Sequence, residues 1–215
     1  AGRLVESRAE TERSLALARA AGDRGLEANG QLNLGVLLID VGEVTAAIEV
    51  LRPAQQYFRE IGDLRRCAGA TLNLGNAQLG AYDFAAATVS LELARSLAVE
   101  AGDRLTATTA SAALAGVARD SGDLPGARRR YEAVLAEFEA IGDEEGLAMR
   151  LDNLGAVEAS LGDVEPALRH SERALAIFRR RGIPVRIAIV LHNLGLLYEA
   201  IAGYPRARAA HEEAL

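Results

Sequence analysis

One period of 40 residues runs through this 215-residue chain. The tripeptide Asn-Leu-Gly begins at Asn33, Asn73, Asn153 and Asn193, and a degenerate copy falls in register at Ala113. A second column is alanine in every unit: Ala47, Ala87, Ala127, Ala167 and Ala207. Columns repeated at a fixed spacing predict a stack of identical supersecondary units, each burying its apolar face against its neighbours.

Glycine and aspartate mark the ends of the helices in each unit. Gly-Asp pairs begin at Gly22, Gly62, Gly102 and Gly142, and Gly182 is in register with them. Glycine suits the left-handed residue that ends a helix, and aspartate accepts hydrogen bonds from the first free N–H groups of the next one. A similar interruption halfway through each unit predicts two helices per unit. We therefore expect about 11 helices: a leading second helix over 1–22, full hairpins over 23–62, 63–102, 103–142 and 143–182, and a truncated repeat over 183–215.

The composition agrees with helices that pack closely. Half of the residues are hydrophobic, but only 4% are aromatic, so small side chains dominate the predicted interior. The net charge is −6, which argues against a nucleic-acid partner because such proteins carry a basic surface. A single cysteine cannot form an internal disulfide, and no apolar run reaches the roughly 20 residues of a membrane span. We expect a cytoplasmic protein.

The repeated residues resemble those of the tetratricopeptide repeat. The resemblance rests on the Leu34-Gly35 pair, on Ala47 twelve residues after the glycine, and on Ala54 seven residues later. The period of 40 exceeds the usual length of 34, and Gly-Asp replaces the closing proline. The long period is similar to the arrays of kinesin light chains, spindle-orientation adaptors and bacterial signalling regulators. The resemblance implies a single all-α domain over 1–215, a right-handed α-solenoid of antiparallel helical hairpins whose first helices line a concave face.

The repeated asparagines are the candidate binding residues. In peptide-binding arrays similar to this chain, asparagine at this place bonds the backbone of an extended ligand, and a carboxamide offers both a donor and an acceptor for that purpose. The alternative is that these side chains bond only to a neighbouring helix and are structural. The predicted peptide-binding set consists of the repeated asparagines and of further residues on the same face: Asn33, Asn73, Asn153, Asn193, Asn29, Asn76, Asp152 and His192.

Other reactive side chains give weaker signals. The three histidines have no second ligand at helical spacing, so we expect neither a metal site nor a cofactor. Cys67 follows Arg65 and Arg66, which can favour a thiolate, but a small packed residue is the simpler interpretation. Two arginine runs, at 128–130 and 179–181, are expected to be solvated surface.

These observations predict a non-catalytic scaffold that holds a protein or an extended peptide segment on its concave face. The acidic balance favours a neutral or basic guest. No catalytic arrangement stands out, so we do not expect an enzyme. We expect the chain to be part of a larger bacterial regulatory protein. The alternative function is a structural self-association module, in which terminal helices pack end to end and form a homo-oligomer.

Overall fold

A computed structural model describes residues 2–214, with side-chain surroundings from Ser7 onward. Within this range the chain consists of helices joined by short turns, without strands. The helices are α1 (Gly2–Ala20), α2 (Arg24–Asp40), α3 (Val44–Glu60), α4 (Leu64–Gly80), α5 (Phe84–Glu100), α6 (Arg104–Asp120), α7 (Leu124–Ile141), α8 (Glu144–Leu161), α9 (Val164–Arg181), α10 (Pro184–Ala200) and α11 (Tyr204–Glu213).

The turns have the chemistry that the glycine and aspartate columns predict. Eight glycines adopt a left-handed backbone, with φ between 66° at Gly102 and 90° at Gly122. Tyr82 and Ala202 hold the same conformation without being glycine, with φ of 59° and 56°. A side chain is strained in this region, so these two residues hold the turn at a cost in backbone energy.

Aspartate carboxylates cap most of the helices. Oδ1 of Asp23, for example, accepts a hydrogen bond of 2.9 Å from the backbone N–H of Leu26 in the first turn of α2. Asp163 is an exception, because its carboxylate accepts a hydrogen bond of 2.7 Å from Arg128 and makes no bond to α9.

The chain divides into two compact units, Ala1–Val117 (unit 1) and Ala118–Leu215 (unit 2). Unit 1 contains the hairpins α2–α3 and α4–α5, with α1 before them and most of α6 after them. Its interior is built on leucine and alanine, including the fully buried Leu51 and Leu91. Leu91 lies against Gly75, where an added Cβ would come within 2.7 Å of the leucine side chain. Glycine in this column therefore lets the two helices of a hairpin approach closely.

Unit 2 contains the hairpins α8–α9 and α10–α11, with the last turn of α6 and all of α7 before them. Larger side chains fill its interior, and Tyr131, Phe138, Leu151 and Phe178 are almost completely buried. The alanine column is buried in both units.

The predicted all-α fold of stacked antiparallel hairpins is confirmed. Phe58, Phe138 and Phe178 are buried in this fold. Among the described residues, no helix combines the length and the apolar character needed to cross a bilayer.

Candidate functional site

The first helices of the hairpins carry the Asn-Leu-Gly motif, and their outward side forms the candidate site. These helices are α2 and α4 in unit 1 and α8 and α10 in unit 2, and we call this side the A face in each unit. The leucine and glycine of every motif are buried, whereas the asparagine beside them is half-buried or exposed. The leucine and glycine thus pack the first helix against the second helix of its hairpin, and the asparagine carboxamide lies on the A face.

In unit 1 the carboxamides of the A face are largely unengaged. Asn33 is exposed, and Asn73 and Asn76 are half-buried. Among the described residues, none of these three side chains has a hydrogen-bond partner. Asn29 differs, because its Nδ2 donates a bond of 2.9 Å to the carbonyl oxygen of Gly25 one turn earlier. Asn29 and Asn33 also line a cavity of about 580 Å³ between α1 and α2.

In unit 2 the equivalent carboxamides are bonded to neighbouring side chains. Oδ1 of Asn153 accepts a hydrogen bond of 3.3 Å from Nη1 of Arg119, in the last turn of α6. Nδ2 of Asn193 donates a bond of 3.2 Å to Oδ1 of Asp152, which joins α10 to α8. Burial raises the pKa of Asp152, although the bond from Asn193 and the charge of Arg186 act in the opposite direction.

His192 is exposed on α10 and has His211 as its closest aromatic neighbour, with the ring centroids 5.5 Å apart. Nε2 of His211 lies 3.3 Å from Oε1 of Glu199. Within the described part of the chain, no group of three or more histidine, cysteine, aspartate or glutamate side chains could hold a metal ion.

Arg150 is a residue that the sequence reasoning did not single out. It belongs to a column that is otherwise small or apolar: Gly30, Ala70, Ala110, Arg150 and Val190. Its guanidinium Cζ lies 5.6 Å from the centroid of the Phe138 ring, and its Nε is buried without a partner among the described residues. A single large cation in a column of small side chains was the signal available in the sequence.

Glu158 and His170 form a second charged feature inside unit 2. Glu158 is only 4% exposed, and its Oε2 lies 2.7 Å from Nδ1 of His170. His170 is about three-quarters buried in this pair. At the matching places in the first hairpin of unit 1, the residues are the apolar Leu38 and Val50.

The remaining sequence candidates are structural in this fold. Cys67 is buried, with its Sγ 3.8 Å from the carbonyl oxygen of Gln55, as expected for a small packed residue. The arginine runs lie on the surface and form ion pairs there. Arg128 pairs with Asp163, Arg179 with Glu213 and Arg180 with Glu144.

Comparisons with known proteins agree on the kind of repeat. Residues 105–180 match the family model of the tetratricopeptide repeat. No curated protein matches the sequence. Among solved structures, BtubC (BKLC) from P. vanneervenii is 25% identical, with a TM-score of 0.78 over 98% of this chain and 89% of that one.

Two further structures share the fold at lower identity. The nearly identical TPR-like repeats of Podosopora anserina, described as a kinesin light chain, are 17% identical, with a TM-score of 0.66 over 86% of this chain and 92% of theirs. The Rap conjugation gene regulator of plasmid pLS20, solved in complex with a Phr peptide, is 18% identical, with a TM-score of 0.78 over 92% of this chain and 55% of that one. Residues 105–180 thus match the tetratricopeptide repeat, and the 40-residue columns and helical hairpins make the whole chain similar in fold to these repeat structures.

Proposed function

We propose that this chain is a non-catalytic scaffold that holds an extended peptide segment of a partner protein on the A face of unit 1. In this proposal the carboxamides of Asn33 and Asn73 bond the main chain of the guest. Asn29 and Asn76 lie along the same face and contact its side chains. The guest is neutral or basic, because the chain has a net charge of −6.

One observation carries the proposal. Asn33 and Asn73 occupy the same place in neighbouring hairpins, and their carboxamides have no partner among the described residues. Asn33 is exposed and accessible to water, whereas Asn73 is half-buried, and a half-buried amide without a hydrogen bond lowers stability compared with an apolar side chain of similar size. The cost is offset if a ligand supplies the missing bonds. A peptide backbone does so for any guest sequence, because it repeats an N–H and a C=O group at every residue.

The contrast with unit 2 supports this assignment. Asn153 and Asn193 already bond to Arg119 and Asp152, so a peptide would have to displace these bonds before it could use the carboxamides. The structural alternative for the repeated asparagines therefore fits unit 2, and the ligand-binding interpretation fits unit 1.

The Rap regulator provides a precedent for peptide binding in this fold, because it was solved together with a Phr peptide. This chain spans about half of that regulator's length, 55%, so the likeness extends to the repeats and not to the whole regulator. We propose on this basis that the chain acts within a bacterial regulatory protein and brings a partner's segment to it.

A matched pair of double variants tests the proposal. A displayed library of random twelve-residue peptides would be selected against the whole chain, and the affinity of a selected peptide measured by fluorescence anisotropy. We expect Asn33→Ala with Asn73→Ala to weaken binding at least tenfold, which corresponds to about 1.4 kcal/mol. The control, Asn153→Ala with Asn193→Ala, should change affinity less than threefold.

Stability measurements of the same variants separate binding from folding. The control pair loses two internal hydrogen bonds and should unfold at lower urea concentration. Its free energy of unfolding should fall by about 1 kcal/mol per bond. The Asn33→Ala, Asn73→Ala variant loses no internal hydrogen bond, so it should keep or raise the urea midpoint of the parent chain. Equal affinity of both double variants for the selected peptide would contradict the assignment to unit 1.

Self-association is a second candidate, favoured by one apolar surface. Leu17 on α1 is 68% exposed and Leu26 on α2 is 59% exposed, and both line the cavity between these helices. Sedimentation velocity over a wide concentration range decides between the two functions. If the surface associates, the parent chain forms oligomers as concentration rises, and Leu17→Glu abolishes them. A monomer at all concentrations would exclude this candidate.

A further inference from the structure

Unit 2 contains a cavity of about 300 Å³ between α8, α9 and α10. Its walls are small or aliphatic side chains, and none of the residues that line it is ionisable. Ala156 and Leu196 are exposed members of this lining, so the cavity opens on the A face. Its volume lies at the lower end of the roughly 300–1,000 Å³ of ligand sites, and it suits one large side chain.

The cavity lies where a serine stands in a column of larger side chains. The members of this column are Leu51, Leu91, Tyr131, Ser171 and His211. In both hairpins of unit 1, the leucine of the column lies over the glycine of the Asn-Leu-Gly motif and fills the space there. In the hairpin α8–α9, Ser171 takes that place over Gly155, and both residues line the cavity. Unit 2 therefore leaves open a space that unit 1 fills with its own leucine.

The hydroxyl of Ser171 is the buried polar group of this cavity. Ser171 is only 1% exposed, and its side chain has no hydrogen-bond partner among the described residues. Its Oγ is not sealed off, however, because the fully shielded side-chain atoms without a partner in that part of the chain are Oε1 of Gln78 and Nε of Arg150. A buried hydroxyl without a partner costs stability and is rare, so this one points to a ligand that completes its hydrogen bond.

We propose that this cavity binds the side chain of an unphosphorylated tyrosine, presented by a segment of a partner protein. The ring lies against the aliphatic walls, and its phenol group forms one hydrogen bond with the hydroxyl of Ser171. Leucine or phenylalanine would fill the space but leave that hydroxyl without a partner. Phosphotyrosine or a charged side chain would bury its charge in a lining without a counter-ion.

Two further observations support a tyrosine within a chain. Tyr131 is almost completely buried at the equivalent place of α7, so a tyrosine at this position is compatible with the hairpin. The free amino acid carries two charges, which would lie against the apolar opening at Ala156 and Leu196, whereas a residue inside a peptide carries neither. The cavity uses no carboxamide of unit 1, so either site can exist without the other.

Titration of the whole chain with capped amino acids tests the cavity. The probes are N-acetyl-tyrosinamide, N-acetyl-phenylalaninamide and N-acetyl-phosphotyrosinamide, and the readout is the methyl NMR signals of Val164, Leu196 and Leu197, which line the cavity. We expect saturable shifts of these signals with the tyrosine probe. The phenylalanine probe should bind about fivefold more weakly, because it lacks one hydrogen bond. The phosphotyrosine probe should give no saturable shift.

Three variants locate the binding. Ser171→Leu installs the side chain of unit 1, so it should fold, fill the cavity and abolish binding of every probe. Ser171→Ala keeps the cavity and should weaken binding of the tyrosine probe about fivefold, to the level of the phenylalanine probe. Ser121→Ala is the matched control, because Ser121 is an exposed serine of unit 2 outside the cavity lining, and its Oγ donates a bond of 3.1 Å to the carbonyl oxygen of Ala118. This control should bind like the parent chain.

Four results would overturn the proposal. The tyrosine probe could bind Ser171→Leu as tightly as the parent chain, or the tyrosine and phenylalanine probes could bind the parent chain equally. The three methyl signals could also fail to shift with any probe. Finally, sedimentation velocity could show oligomers of the parent chain that both Ser171→Leu and Tyr82→Gly abolish. The occupant would then be the exposed Tyr82 of a second copy and not a separate partner.

Discussion

Units 1 and 2 are built from the same hairpins, but they bury different chemistry. The buried polar side chains of unit 1 are all neutral among the described residues: Gln31, Thr71, Gln78, Ser90 and Thr108. Unit 2 buries the carboxylate of Glu158 and Nε of Arg150. The A faces differ as well. The carboxamides of Asn33 and Asn73 in unit 1 have no partner among the described residues, whereas those of Asn153 and Asn193 in unit 2 are bonded.

The comparison shows which positions carry the fold and which are free to vary. The alanine column and the glycine of each motif set the distance between helices, and they are kept in both units. Positions such as 38 and 158 face the same hairpin interior, yet one holds leucine and the other glutamate. The hairpin accepts either, provided that a buried charge meets a partner. The interior of unit 1 therefore needs no ion pair, whereas the interior of unit 2 contains a carboxylate that requires one.

The largest effect is expected from breaking the buried pair of unit 2. His170→Ala leaves Glu158 buried without its partner and should lower the free energy of unfolding by about 3 kcal/mol. Installing the unit 1 residues instead, as Glu158→Leu with His170→Val, removes both polar groups together. This double variant should be as stable as the parent chain or more stable. Urea unfolding followed by circular dichroism measures both changes.

If His170→Ala unfolds at the same urea concentration as the parent chain, the pair does not hold the carboxylate. The two units would then differ in sequence at these positions but not in energetics.

A smaller effect is expected where the helices of a hairpin meet. An alanine side chain at Gly75 would overlap with Leu91 in the filled interior of unit 1, and should cost roughly 1–3 kcal/mol. At Gly155 in unit 2 an added Cβ would lie 2.6 Å from Oγ of Ser171 and 3.1 Å from the carbonyl oxygen of Ala167, and the backbone oxygen cannot turn away. We therefore expect Gly155→Ala to cost a similar amount, by thermal unfolding of both variants.

The control lies on the same helix as Gly75. Nothing lies within 4 Å of a Cβ at Gly69, so Gly69→Ala should stabilise α4 by roughly 0.5–1 kcal/mol. A loss of stability in this variant would show that glycine is needed in α4 for a reason other than helix contact.

The smallest effect concerns the carboxylate that bonds Asn193. Burial raises the pKa of Asp152 above its ordinary 3.8, so the folded chain binds this proton more tightly than the unfolded chain. Its contribution to stability is greatest below pH 3.8 and is lost as pH rises through the raised pKa. Asp152→Asn keeps an oxygen acceptor and should raise the urea midpoint at pH 7. The gain in the free energy of unfolding should be less than about 1 kcal/mol.

The gain from Asp152→Asn should shrink as the pH falls toward 3.8. Asp40→Asn, at an exposed carboxylate of the A face in unit 1, is the control and should give no such gain. An equal gain in both variants at pH 7 would mean that net charge, not burial, is responsible.

Local structure could be predicted almost entirely from the repeat. Residues 40 apart are often identical, so the weak indication of a helix end at one glycine or aspartate is repeated at the equivalent positions. Helix ends follow directly, since the left-handed turn and the N-terminal cap depend on one or two residues of known preference. Tyr82 is an exception, because the conformational preference of tyrosine does not predict a positive φ.

The site could be predicted only in part. The columns placed Asn33, Asn73, Asn153 and Asn193 at one helical position, but they could not show which carboxamides already have a partner. That outcome depends on side chains from other hairpins, since Arg119 and Asp152 reach asparagines 34 and 41 residues away. The pairing of Glu158 with His170 lies within one hairpin, and it depends on how α8 and α9 pack against each other.

The sequence by itself determined the helices, their turns and the small-residue columns that let them pack, because these depend on local preferences repeated at a fixed spacing. The tertiary structure decided the state of each polar side chain: open at Asn33, bonded at Asn193, and paired inside a hairpin at Glu158. Hydrogen bonds and ion pairs act over about 3 Å, so their partners are settled only when the helices have been brought together.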